Sequence, residues 1–344
     1  MTECLEYRSI QSILERTSLT NSKIIGTGSY LPKRVMTNAD WEKLVDTNDE
    51  WITTRTGIKE RHIAAEDQAT SDLVTEAAKN AIADAGIDKS EIDLMVVATI
   101  SGDNAYPSTA NWVQKKLGLN PIPSFDVGAA CSGFLYALKI ADSLLKTGTA
   151  TTVLVAGAES MSKVMNWEDR NTCVLFGDGA GAVILRLTNE DKGIISSYWG
   201  ADGNLGELLM QPAGGSAMPA TLETVKNNLH TVHMKGNEVF KHAVLRMQEA
   251  AMKALDLANL TGDDVDLFIP HQANIRIIEA TIRRAKIPLE KTFINIDKIA
   301  NISAATIPIA LDHANKSGRI KEGDNVLLAA FGAGFTWGGA VIRF

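Results

Sequence analysis

The sequence predicts an α/β protein assembled from two duplicated, pseudo-symmetric halves, and three observations carry that expectation. Residues 81–96 read AIADAGIDKSEIDLMV and residues 254–269 read ALDLANLTGDDVDLFI. In each, a helix ends, a short loop and an acidic turn follow, and Ile/Val-Asp-Leu opens a hydrophobic strand, at an offset of 173 without a gap. The pattern returns at an offset of 170 between CSGFLYALKIADSLLKTG at 131–148 and NISAATIPIALDHANKSG at 301–318, with Asp142 matching Asp312. Both segments lead into similar strands, VLVA at 153–156 and VLLA at 326–329. The repeat is far longer than the ~20–50 residues of a solenoid unit, so it reads as one duplicated α/β unit. Buried strands alternating with helices imply largely parallel sheets covered by helices.

Taken in order, residues 1–21 stand apart as an N-terminal extension, with Leu5, Ile10, Ile13 and Leu14 on one side of an expected short helix. KIIG at 23–26 starts the globular pattern as a strand entering a glycine turn. The polar stretch TNEDK at 188–192 separates the halves, which run 22–190 and 191–344. A net charge of −7 argues against nucleic acid, which demands many Lys/Arg contacts to phosphate. No apolar run reaches the ~18 residues of a membrane span. Acidic residues near the start argue against a secretory or transit segment, so a cytoplasmic protein is expected. Cys4, Cys131 and Cys173 make an odd, sparse set, unlike a disulfide framework and in keeping with a reducing compartment.

Chemistry concentrates at three places. SFDV at 124–127 reads as a strand, Gly128-Ala129-Ala130 as a tight turn, and Phe134, Leu138, Ala141 and Leu145 recur at helical spacing. Cys131 therefore stands at a strand-turn-helix elbow, where unpaired N–H groups and the helix dipole lower a thiol pKa and favour the nucleophilic thiolate. A buried inert thiol is the competing reading. For Cys173, in an expected strand at 172–175, the core reading wins. His271 follows the hydrophobic strand LFIP, at the sheet edge where α/β proteins place ligand sites; a structural or surface histidine is the alternative. Asn301 is the second-half counterpart of Cys131, against the ordinary role of a helix N-cap. Pseudo-twofold symmetry brings two helix N-termini to one centre with His271 between them. Cysteine, histidine and asparagine then suit acylation of a thiolate by a thioester and stabilisation of an enolate by two donors, without a metal or organic cofactor.

Other motifs carry less. GDGAG at 177–181 precedes a strand, not the helix a phosphate loop needs. Gly332-Ala333-Gly334 fits both a hairpin and a turn offering N–H groups to a substrate. His230, His233 and His242 lack the partners of a metal set. Arg276 and Arg283 share a helix face with Arg284 and Lys286 adjoining; this is either a solvated face or a dock for an acidic carrier protein beside the active-site mouth.

Eight motifs in order, GTGSYLP (26–32), DEWITTRTGI (49–58), DVGAACSGF (126–134), FGDGAGA (176–182), GNEVFKHAV (236–244), PHQANIRI (270–277), NISAATIP (301–308) and AFGAGFTWGGA (330–340), carry a family resemblance. Over residues 22–344 the chain resembles the β-ketoacyl-acyl-carrier-protein synthase III family, the initiating condensing enzymes of type II fatty acid synthesis. The resemblance implies a thiolase-like fold in α-β-α-β-α layers and a catalytic triad of Cys131, His271 and Asn301. It implies an oxyanion hole from the backbone N–H groups of Cys131 and Ala333. Acetyl or another short acyl group would arrive on coenzyme A, in a tunnel lined by Trp51, Arg55, Arg170, Phe240 and Asn274. Malonyl would arrive on acyl carrier protein, met by Gln272, Ala273, Asn274, Ile275 and Arg276, with Lys241, Arg283 and Arg284 nearby. The family forms homodimers in which the residue matching Tyr106 shapes the partner's acyl pocket.

Three departures from the family pattern stand out: Ile302 for an expected Thr, Tyr106 where some members carry Phe, and Gly-Ala-Gly for three glycines. The first two bear on acyl-chain preference. A relative condensing other acyl groups for secondary metabolites is the nearest rival, followed by a carrier-binding paralogue without catalysis. A papain-like protease is disfavoured, because the AACSG context lacks that family's cysteine signature.

Overall fold

A computed structural model describes residues 21–344; the helix expected around Leu5 to Leu14, and Cys4, lie outside the described residues. In chain order the strands of the first half are β1 (Asn21–Tyr30), β2 (Arg34–Thr37), β3 (Glu60–Ile63), β4 (Leu94–Ala98), β5 (Ser124–Val127), β6 (Thr152–Ser160) and β7 (Asp178–Thr188). Those of the second are β8 (Gly193–Ala201), β9 (Leu209–Met210), β10 (His233–Met234), β11 (Leu267–Pro270), β12 (Asn325–Gly332) and β13 (Thr336–Arg343). Helices of eight residues or more are α1 (Asp49–Thr56), α2 (Thr70–Ala85), α3 (Thr109–Leu117), α4 (Gly133–Lys146), α5 (Gly236–Ala258), α6 (Ile275–Ala285) and α7 (Thr306–Lys316).

The duplication is visible in the sheets. One has the order β1-β7-β6-β4-β5 and the other, read the same way, β8-β13-β12-β11. Only an isolated parallel bridge between Phe268 and Thr292 stands where the second sheet's fifth strand would lie. Both sheets are mixed, which corrects the expectation of largely parallel ones. β4 runs parallel to β5 and β6, and β11 to β12, but β1, β7, β8 and β13 pair antiparallel. The reason is local: the three residues between β12 and β13 suffice for a hairpin, whereas a parallel neighbour needs a crossover. The segment at 172–175 is a turn and not the strand expected, although Cys173 is buried in the core as foreseen.

α4 and α7 form the central layer. Phe134, Leu138, Ala141 and Leu145 of α4 and Ile307, Ala310, Leu311 and Ala314 of α7 share one core with Val96, Val155, Leu328, Ala330 and Ile342 from both sheets. α2 and α3 cover the outer face of the first sheet and α5 and α6 that of the second, completing the α-β-α-β-α stack. Close approach explains the glycines at 177–181: a Cβ on Gly181 would stand 2.6 Å from the backbone of Pro308 and Ile309 in α7.

β1 clasps both central helices. Ser22 Oγ donates to Asp142 of α4 at 2.8 Å, and Thr27 Oγ1 and Ser29 Oγ donate to Asp312 of α7 at 2.8 and 2.5 Å. Each buried aspartate also pairs with the lysine one turn later, Lys146 or Lys316. The positions equated by the sequence repeat thus share one local chemistry.

Candidate active site

Cys131 and Asn301 lie at the two corners that lead into the central helices, Cys131 inside its 3-10 turn and Asn301 two residues before the other. Ala130–Ser132 forms a 3-10 turn that runs into α4, and Ser303–Ala305 forms another that runs into α7. The residue before each, Ala130 (φ 45°) and Ala300 (φ 61°), is held in the left-handed region. For alanine that strain costs about 1–3 kcal/mol, offset by packing all around the two corners. Both following residues line the same cavity. His271 follows β11, and its backbone N–H donates to Ala329 O at 2.8 Å.

The histidine is buried, and burial pushes its pKa down to about 3, so the ring is neutral near neutral pH. Nδ1 lies 2.6 Å from Thr306 Oγ1. Asn301 Oδ1 accepts the Ser303 N–H at 2.8 Å, which leaves the Asn301 amide N–H groups free to donate. Cys131 is half-buried. Its environment pushes the thiol up to about 12, foremost through burial, against the lowered pKa expected from the helix end. The elbow is where it was expected, but the cavity around the sulfur is largely apolar and holds the charged form in check.

Two cavities meet at Cys131. One, of about 390 Å³, is lined by Ile100, Met161, Val164, Phe176, Leu209, Met210 and Val232, together with Ala333 and Gly334. Apart from Ala333, none of these residues was singled out from the sequence, because they come from separate segments of the chain. The other, about 420 Å³, contains Cys131, His271 and Asn301, and extends past Phe331, Phe240 and Asn274 to Trp51, Arg55 and Arg276 at the mouth. Trp51 carries the guanidinium groups of Arg55 and Arg170 each 5.0 Å from its ring centre. Arg170 also donates to Asp46.

The turn at 333–335 is fastened to the nucleophile's corner. Ser132 Oγ donates to Thr336 Oγ1 at 2.6 Å, and Thr336 Oγ1 lies 3.0 Å from both Ala129 O and Ala333 O. A Cβ on Gly332 would stand 2.6 Å from the Cys131 nitrogen, so only glycine leaves that N–H accessible.

Some expected residues fall elsewhere. Gln272 is fully buried, with its amide spent on Pro270 O, Phe293 O and Asn295 N, and cannot meet a docking protein. Ile275 is half-buried against Gly57. Lys241, Arg276, Arg283 and Arg284 are exposed. Tyr106 is 87% exposed and lines neither cavity. Ile302 packs into the core with Ile299, Ala305 and Ile309, away from both cavities, so its departure from the family pattern does not touch the acyl pocket. Among the described residues no group of three or more His, Cys, Asp or Glu side chains converges to hold a metal ion.

Comparison with known proteins places the chain beside one group of relatives. Models described as 3-oxoacyl-[acyl-carrier-protein (ACP)] synthase III and its C-terminal part match residues 125–203 and 255–344. The β-ketoacyl-[acyl-carrier-protein] synthase III of Caldanaerobacter subterraneus subsp. tengcongensis is 54% identical over 321 residues, 93% of this chain and 97% of the relative. That of Clostridioides difficile is 50% identical, over 94% of this chain and 99% of the relative. The crystal structure of 3-oxoacyl-[acyl-carrier-protein] synthase III from Aquifex aeolicus superposes with a TM-score of 0.88 at 49% identity, covering 94% of this chain and all of that one. The priming β-ketosynthase of the R1128 polyketide pathway gives 0.87 at 34% identity, with 94% and 97% covered.

Proposed function

The chain belongs to the β-ketoacyl-acyl-carrier-protein synthase III family, and from that premise we propose that Cys131 carries the acyl group while His271 and Asn301 handle the second substrate. The enzyme is an acyltransferase of the condensing type that initiates fatty acid synthesis. One observation carries the residue assignment: an apolar cavity and a groove that ends in Trp51 and Arg55 meet at Cys131, with His271 and Asn301 in the groove.

In the first half-reaction the Cys131 sulfur attacks the thioester of acetyl-CoA or another short acyl-CoA. The oxyanion takes the N–H groups of Cys131 and Ala333, and coenzyme A leaves. In the second, malonyl on its carrier protein loses CO2. The enolate oxygen rests between His271 Nε2–H and Asn301 Nδ2–H, and the carbanion attacks the acyl-Cys131 thioester to release 3-oxoacyl-carrier protein. A neutral imidazole and an amide whose oxygen is already engaged support the donor roles. No cofactor is assigned.

Trp51, Arg55, Arg170, Phe240 and Asn274 are assigned to coenzyme A, with the indole as a stacking surface and Arg55 as a phosphate partner. Lys241, Ala273, Asn274, Ile275, Arg276, Arg283 and Arg284 are assigned to carrier-protein docking, without Gln272. The exposure of Tyr106 supports a homodimer in which it enters the partner's acyl pocket. The halves are taken as 22–190 and 191–344, and the cytoplasm as the location; no described helix is long and apolar enough to cross a membrane. A secondary-metabolite role is less favoured: the fatty-acid enzymes compared above share 49–54% identity, against 34% for the polyketide relative.

The test is intact-protein mass after mixing with acyl-CoA thioesters of rising chain length, then after adding malonyl-carrier protein. An acetyl adduct on Cys131 that disappears as acetoacetyl-carrier protein forms supports the reading. Adducts only with longer or aromatic groups favour the secondary-metabolite alternative, and no adduct removes Cys131 from the role.

A further inference from the structure

Arg61, on β3, is fully buried. The hydrogen bonds of its guanidinium end on neutral oxygens: Val174 O at 2.6 Å, Asn38 Oδ1 at 2.8 Å and Met36 O at 3.4 Å. The centre of the Trp41 ring lies 5.9 Å from the guanidinium carbon. Burial pushes the pKa down to about 10, and the group stays charged near neutral pH. A buried cation held by neutral acceptors is costly, and an apolar side chain of similar volume often serves stability as well or better. What a guanidinium supplies instead is a rigid planar fork that bonds diverging oxygens at fixed separations.

Each end of that fork has its own neighbourhood. Asn38 is immobilised by its amide, which donates to Asp49 Oδ1 at 2.8 Å, Ile58 O at 2.8 Å and Thr53 Oγ1 at 3.2 Å. It is a fixed reference point, tied to α1. Val174 opens the segment against which Asn301 is laid. The Asn301 N–H donates to Leu175 O at 3.0 Å, and the Asn301 carbonyl accepts the Gly177 N–H at 3.0 Å. Phe176, between them, forms a parallel bridge with Asn301. Gly177 is wedged in place: a Cβ there would stand 3.1 Å from the Arg61 Cβ and 3.0 Å from Ile299 O. Leu175 and Phe176 line the groove that holds Asn301, whereas Arg61 lines neither cavity.

We propose that Arg61 is a positioning residue for decarboxylation, holding Val174 so that the 174–177 segment presents Asn301 to the enolate oxygen. Ser303 N–H fixes the direction of the Asn301 amide, and the segment fixes the place of its backbone. A donor displaced by a fraction of an ångström loses much of its worth to a transition state, since a misplacement of ~1 Å costs about 10²-fold. Acylation draws on the N–H groups of Cys131 and Ala333, at the separate corner fastened by Thr336.

The proposal rests on the assignment of Asn301 to the enolate. The experiment compares full-length wild type, Arg61→Lys, Asn301→Ala and the double variant. It reads CO2 release from malonyl-carrier protein, and intact-mass acylation at saturating acetyl-CoA, in the same preparations. Lysine keeps the charge and the stem but has one nitrogen, which cannot span Asn38 and Val174 as the fork does. Arg61→Lys should lower kcat for decarboxylation about 10-fold, with KM for malonyl-carrier protein and the acylation rate each within about 2-fold of wild type. The double variant should match Asn301→Ala alone, because no donor is left to position. Equal loss in both half-reactions, or a double variant about 10-fold below Asn301→Ala, would make Arg61 a residue of stability alone and overturn the proposal, as would wild-type rates in Arg61→Lys. If Arg61→Lys does not fold, Arg61→Gln, which buries no charge, is read in the same way. Wild-type decarboxylation by Asn301→Ala overturns the underlying assignment of Asn301 instead.

Discussion

Thr306→Val tests how the histidine is held. Valine keeps the shape of threonine and replaces a hydroxyl by a methyl, so no cavity opens. The Thr306 hydroxyl has one proton and two neighbours, His271 Nδ1 at 2.6 Å and Ser303 O at 3.2 Å. We assign the proton to the shorter contact, which leaves Nδ1 as acceptor and puts the ring proton on Nε2, where an enolate can use it. In the variant, Nδ1 faces a methyl group in a site closed to water. An unpaired buried acceptor costs about 1–3 kcal/mol, and the ring can recover part of that only by moving its proton to Nδ1, away from the substrate. With an oxyanion donor worth a factor of about 10²–10³, decarboxylation of malonyl-carrier protein should fall about 10–100-fold. Acylation of Cys131 should change by less than about 2-fold, since the first half-reaction does not use Nε2–H. Thr306→Ser should restore most of the loss. The assay pairs CO2 release with intact-mass acylation in the same preparation. Unchanged decarboxylation, equal loss in both half-reactions, or failure of serine to restore would refute the assignment.

Gly332→Ala places a carbon 2.6 Å from the Cys131 nitrogen and should cut acylation by about 100-fold or more; an alanine variant that acylates normally removes that N–H from the oxyanion hole. Trp51→Ala and Arg55→Ala should each raise KM for acetyl-CoA about 10-fold and leave acetyl-pantetheine, which lacks the nucleotide, unaffected; equal effects on both substrates would move these residues off the nucleotide. His271 has a folded pKa near 3, below its unfolded value of 6.5. The unfolded chain therefore binds the proton first, and stability present above about pH 6.5 is lost as pH falls toward 3. Denaturant titrations should show that slope reduced in His271→Ala. Glu159 has the opposite sign. Its folded pKa near 7 exceeds the unfolded 4.5, so stability falls as pH rises through that window, and Glu159→Gln should be more stable than wild type by about 1–3 kcal/mol at pH 8. A destabilised glutamine variant at that pH would count against the buried charge.

That Cys131, His271 and Asn301 line one groove was legible because the chain carries its own internal comparison. Aligning residue 131 with residue 301 and finding β11 before His271 locates a centre without any homologue. The repeat also implied sheets covered by helices, while the α-β-α-β-α order of the layers came from the family resemblance. Strand direction was not legible, because hydrophobicity is the same for parallel and antiparallel neighbours, and only the short link before β13 betrays a hairpin. The thiol's ionisation was misjudged: the helix end is a local feature that sequence reveals, whereas burial is collective. The acyl cavity was invisible for the same reason, being made of single residues from several loops. Gln272 shows the limit of motif transfer, since it belongs to the expected docking stretch in sequence and to the core in space. Ser303 and Thr306 lay inside the quoted motif at 301–308, but nothing in their residue types distinguished a support for the site from an ordinary helix start.

The clasp made by β1 has a consequence for how the chain is born. Thr27 and Ser29 leave the ribosome long before their partner Asp312, which lies 285 and 283 positions later. β1 also waits for β7, its only neighbour in the sheet among the described residues. Contacts spanning such separations form late, because closing the loop precedes any reward. The two pseudo-symmetric halves are therefore not two folding units. β1 is made before its partners yet is among the last strands to settle, and until then its edge and the buried face of α2 beneath it stay open to a chaperone or to a neighbouring chain.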